Sequence, residues 1–70
     1  MDSRTWPAGK NVKKATWDPE TEILTVYFMG GTYQYSGVDK DTWETVKASD
    51  SGGRAIHEHV IGNFDTERIN

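Results

Sequence analysis

Seventy residues make one domain at most, and a chain of this size buries only about 60% of its unfolded surface, so its core relies on tight packing or self-association. The absence of cysteine excludes disulfides and thiolate metal sites, and two histidines alone argue against structural zinc. Eight basic against eleven acidic residues give a net charge of −3, which disfavours a non-specific grip on duplex nucleic acid; no apolar run is long enough for a membrane span and no segment reads as a signal peptide, so the expected location is the cytoplasm, or a host's cytoplasm for a viral chain.

Residues 1–10 are polar, interrupted by Trp6-Pro7, and read as a flexible arm. Trp6 then has two destinations: it packs on its own domain, or it reaches a neighbouring subunit. Val12 to Trp17 reads as a short strand with Ala15 and Trp17 on one face, which Val12 joins only through a bulge. Asp18-Pro19-Glu20-Thr21 is a turn. Ile23 to Met29, rich in β-branched and aromatic residues, is the clearest strand. It carries Leu24, Val26 and Phe28 on one face and Ile23, Thr25 and Tyr27 on the other. Gly30-Gly31 matches the two central positions of a type I′ hairpin, which sets Phe28 opposite Tyr33 and Val26 opposite Tyr35. The same logic at the proline turn sets Trp17 opposite Glu22 and Ala15 opposite Leu24.

Asp39 stands at a helix N-cap, with Val38 and Trp43 spaced as a hydrophobic staple and Trp43 and Val46 on the buried stripe. That helix ends near Ala48. After the loop Ser49-Asp50-Ser51-Gly52-Gly53, residues 54–61 form a second short helix with Ile56 and Val60 on one face, stopped by Gly62. Phe64 folds back onto the core, and residues 65–70 read as a flexible tail. The expected fold is α+β: a three-stranded antiparallel β-meander with two short C-terminal helices packed on one face.

Ser51-Gly52-Gly53-Arg54 is the best site candidate. A Gly-rich turn entering a helix offers backbone N–H groups, Ser51 caps or donates, and Arg54 clamps phosphate or carboxylate; an ordinary capped loop has the same residues. His57 lies one turn beyond Arg54 and lines the same pocket in this reading. Tyr33 and Tyr35 fall on the core face, so Tyr35 reaches a ligand only with its hydroxyl at the pocket edge. His57-Glu58-His59 places its two imidazoles about 200° apart around a helix, so no metal site is expected. Asp50-Ser51-Gly52-Gly53 matches a serine-protease nucleophile motif in letters only, because that chemistry needs a far longer chain to place its histidine and aspartate. With no paired carboxylates and no activated nucleophile, the chain reads as a non-enzyme without a cofactor. Ile23 and Tyr27, with Trp6, are the expected interface residues of a homo-oligomer.

The runs Val12 to Asp18, Leu24-Thr25-Val26-Tyr27-Phe28, Gly31-Thr32-Tyr33-Gln34-Tyr35, Gly37-Val38, Ala48, Ser51-Gly52-Gly53-Arg54 and Phe64, in this order and spacing, resemble the KTSC domain. The resemblance covers residues 11–64. That domain is named from the C-terminus of some lysyl-tRNA synthetases and also occurs alone in bacterial and phage proteins. The resemblance implies no enzyme activity, and its association with a tRNA synthetase points toward RNA. The leading expectation is a non-catalytic module that binds a nucleotide-like or other anionic small ligand, or single-stranded RNA, through Ser51, Gly53, Arg54, His57 and Tyr35. A phage protein that sequesters a host nucleotide signal fits this description. The alternative is a protein–protein interaction module, a small phage protein docking on a host protein.

Overall fold

The computed structural model describes residues 1–70, and its elements follow in chain order as β1 (Asp2–Thr5), β2 (Val12–Asp18), β3 (Ile23–Phe28), β4 (Gly31–Ser36), α1 (Lys40–Ala48), α2 (Gly52–His59) and β5 (Asp65–Arg68). The five strands form one antiparallel sheet in sequence order, with the two helices inserted between β4 and β5. This corrects the expected three-stranded meander. Both added strands lie in the segments read as arm and tail, and each is four polar or charged residues at a sheet edge. Such residues carry no apolar alternation to announce a strand; backbone pairing with a neighbour holds them instead.

The hairpins fold with the expected faces and a register displaced by two. Phe28 stands opposite Gly31, Val26 opposite Tyr33 and Leu24 opposite Tyr35. The β3–β4 turn is centred on Met29 and Gly30, neither of which has positive φ, so it is not type I′. Met29 instead donates its N–H to the Asn11 carbonyl at 2.8 Å. Gly31 belongs to the strand, where a Cβ would lie 2.7 Å from the Asn70 carbonyl oxygen of the incoming C-terminus. At the proline turn, Asp18 pairs with Ile23, Trp17 with Leu24 and Ala15 with Val26. Glu22 closes this turn with a φ of 56°, and Asp18 accepts the Glu20 N–H on its side chain at 2.9 Å. A shift of two residues leaves every side chain on its own face, whereas a shift of one would invert them all. A register irregularity between Val12 and Lys14 supplies the bulge that turns Val12 inward.

The core lies between the sheet and the helices. Val12, Leu24, Val26, Val38, Trp43, Val46, Ile56 and Val60 are fully buried, joined by Trp6, Ala15, Trp17, Tyr35 and Ala55. Trp17 and Trp43 stack with centroids 6.3 Å apart, and Phe28 meets Tyr33 edge-to-face at 5.5 Å. Buried indoles need acceptors: Trp17 Nε1 donates to the Val38 carbonyl at 2.8 Å and Trp6 Nε1 to the Ser49 carbonyl at 2.9 Å. The Asp39 side chain makes no bond to an α1 backbone N–H; it accepts from the Thr42 hydroxyl instead. No helix is long and apolar enough to cross a membrane.

Candidate functional site

The start of α2 and the segment between β1 and β2 face each other across a groove of about 410 Å³. Ser51 is the α2 N-cap, and its side chain accepts the Arg54 N–H at 3.3 Å. The backbone before it is held by Ser49, whose hydroxyl accepts the Ser51 N–H at 3.1 Å and donates to the Ser51 carbonyl at 3.0 Å. The opposite wall begins at Trp6, which enters the core over the first turn of α2. A Cβ on Gly52 would lie 2.6 Å from the Trp6 ring, so only glycine lets the indole lie this close. From there the chain turns with a Gly9 N–H to Trp6 carbonyl bond of 2.9 Å, which places Lys10 and Asn11 on the groove.

The groove has a local charge opposite to that of the molecule. Arg4, Lys10 and Arg54 line it, against Asp50 as its one acid. Arg4 uses its donors on the protein: Nε to the Lys47 carbonyl at 3.0 Å, Nη1 to the Thr5 carbonyl at 3.1 Å and Nη2 to the Ser49 carbonyl at 3.2 Å. Its guanidinium also lies 5.2 Å from the Trp6 ring centroid. It therefore contributes field more than hydrogen bonds. Lys10 makes no ion pair. Arg54 donates through Nε to Glu58 at 2.9 Å, a contact that raises the Arg54 pKa and lowers that of Glu58. The Arg54 side chain remains 78% exposed, so its other nitrogens face solvent.

Of the expected site residues, Ser51, Gly53 and Arg54 line this groove together. His57 lines an adjoining depression that shares Asn11, Gly53 and Arg54 with it and continues to Phe28, Met29 and Ile61. Tyr35 stands apart: it is buried and borders a shallow apolar hollow with Phe28, Tyr33 and Ile61. Ile23 and Tyr27 are on the sheet face away from the helices, where the Lys14 ammonium sits 5.7 Å from the Tyr27 ring centroid. Trp6, only 3% exposed, packs on its own domain. Sequence reasoning missed Arg4 and Asn11. Lys10, Lys13 and Lys14 lie close together in sequence, yet only Lys10 reaches the groove. No group of three or more His, Cys, Asp or Glu side chains is placed to hold a metal ion.

Comparison with known proteins bears on this architecture as a whole. No curated protein matches the chain. The crystal structure of a KTSC domain protein from Yersinia pestis is similar, with a TM-score of 0.85 and 25% sequence identity over 99% of this chain and 100% of that one. The family model for the KTSC domain matches residues 9–64, from the loop that carries Lys10 to Phe64. A match of that extent, on a fold that superposes from end to end, shows that this chain belongs to the KTSC domain family.

Proposed function

We propose that the domain binds a nucleotide-like or other small anionic ligand in the groove between α2 and the segment before β2. One observation carries this reading: three cationic side chains converge on a single concavity of a protein whose net charge is −3. Cations scattered over a solvated surface need no explanation, but a cationic groove in an acidic molecule concentrates anions locally. The Ser51-capped start of α2 adds backbone N–H groups that helical geometry leaves without intrahelical partners. Lys10 supplies a point charge and Arg54 a planar fork suited to phosphate or carboxylate. The adjoining depression, with His57, Phe28 and Ile61, offers a partly apolar continuation in which a base fits beside the charged end. A module that holds such a molecule without transforming it acts by sequestering or presenting it.

Thermal denaturation in the presence of nucleoside phosphates, cyclic dinucleotides and short oligoribonucleotides tests the reading. A ligand that binds only the native state raises Tm by mass action. Arg54→Ala should keep the fold, because that side chain is exposed and outside the core, and should weaken binding by about tenfold to a hundredfold, the usual effect of losing a charge-assisted hydrogen bond. No Tm increase with any of these anions would remove the groove as a ligand site.

A further inference from the structure

The sheet face turned away from α1 and α2 is covered by no element of this chain. On it, β2 and β3 form a small array, because the register sets Lys14 beside Tyr27, Thr16 beside Thr25 and Asp18 beside Ile23. The array therefore runs from a cation and an aromatic ring, through two threonines, to a carboxylate and an aliphatic side chain. This order is complementary to itself when reversed. Let a second copy be turned over about a two-fold axis that lies in the face and crosses the strands at the threonine row. Lys14 then comes over Asp18 of the second copy and Tyr27 over Ile23, each contact occurring twice, while the threonines meet their equivalents. An axis running along β3 instead would set Tyr27 on Tyr27 and Lys14 over Thr32, which neighbours Tyr27 in β4, and would match no opposite charges from the array.

We propose that the chain forms a symmetric dimer through this face, with the axis across the strands and the reciprocal Lys14–Asp18 ion pair fixing the arrangement. Stacked sheets lie about 10 Å apart with strands roughly aligned, a gap that lysine and tyrosine side chains span from both sides. Tyr27 is 39% exposed, and a second copy placed this way would cover its ring. Asp18 uses Oδ1 for the Glu20 N–H, and its Oδ2 makes no hydrogen bond or ion pair within the chain. Lys14 already sits over the Tyr27 ring, close to the position the pair requires. Glu67, in the same row as the threonines by its pairing through Gln34, would approach its equivalent only at the rim, where solvent screens it.

Sedimentation equilibrium on the intact chain, with circular dichroism as the check on folding, is the test. The wild type should be a dimer whose dissociation constant rises with salt. Lys14→Glu and Asp18→Lys should each raise that constant about tenfold or more by opposing like charges, and the double variant K14E/D18K should restore dimerisation. If Asp18→Lys unfolds through loss of its turn bond, Thr25→Lys replaces it, since that substitution crowds two ammonium groups at the axis and should also dissociate the dimer. A wild type that stays monomeric at its highest soluble concentration overturns the proposal and leaves the face to a different kind of partner. A dimer insensitive to Lys14→Glu overturns it too, because self-association would then use another surface. Neither result bears on the anion groove, none of whose lining residues belongs to the array.

Discussion

Gly52 and Gly53 adjoin in sequence but differ sharply in what a methyl group would meet. At Gly52 it would lie 2.6 Å from the buried Trp6 ring, which is itself fixed by the indole bond to Ser49. At Gly53 it would make an ordinary 3.5 Å contact with the Asn11 side chain on the groove wall. Gly52→Ala should therefore destabilise the domain by about 1–3 kcal/mol, the usual cost of overpacking. Gly53→Ala should leave stability unchanged or slightly raised, because alanine is the better helix former. Urea denaturation of the two variants decides the matter, and equal effects would mean that Trp6 does not rest on the first turn of α2. The letters Ser51-Gly52-Gly53-Arg54 identified a glycine-rich helix entry, but not that one glycine serves the core and the other the groove. That division depends on Trp6, 46 positions before Gly52, and no local pattern encodes it.

The strand β1 shows how an element with no apolar signature is held in place. Asp2 accepts hydrogen bonds from Trp43 Nε1 at 2.9 Å and Lys47 Nζ at 2.7 Å, while Arg4 bonds to the carbonyls of Lys47 and Ser49 at the end of α1. These contacts span more than forty positions, so β1 became legible only once α1 was in place. The contact with Lys47 first, and that with Trp43 second, hold the Asp2 carboxyl at a pKa of about 2. Folding thus lowers the affinity of Asp2 for its proton. The resulting stability is present above the unfolded carboxyl pKa of about 4 and is lost as pH falls through the folded value. Asp2→Asn should lower Tm at neutral pH, and its deficit relative to the wild type should shrink as the pH is taken from about 4 toward 2. A deficit that stays constant over this window would show that the ion pair is not what ties β1 to α1. By contrast, the faces of β3 and β4, and of β2 except at Val12, were legible, because two-residue alternation sets the face whatever the register; Val12 turns inward only through the irregularity before Lys14. The register was not, because it is set by where Met29 and Gly31 find backbone partners, in the Asn11 loop and in the C-terminal strand.

For the molecule as a whole, the distribution of charge matters more than its sum. The net charge of −3 repels a polyanion at long range, while on the proposed function the groove's cations would draw in an anion small enough to fit inside it. A duplex needs cations spread along many phosphates, and this protein presents Arg4, Lys10 and Arg54 around a concavity of about 410 Å³. Ligand size should therefore decide binding. A mononucleotide or a short single-stranded oligoribonucleotide should raise Tm, and a duplex of the same bases should not. Since no more than three side-chain cations are engaged, the slope of log affinity against log salt should correspond to only about two or three released counterions for a single-stranded ligand. Titration calorimetry at several salt concentrations measures that slope. A steep slope together with duplex binding would place the anionic partner outside the groove, spread over a surface that would have to include Lys13 and Lys14. A shallow slope that vanishes in Arg54→Ala would place it at the start of α2.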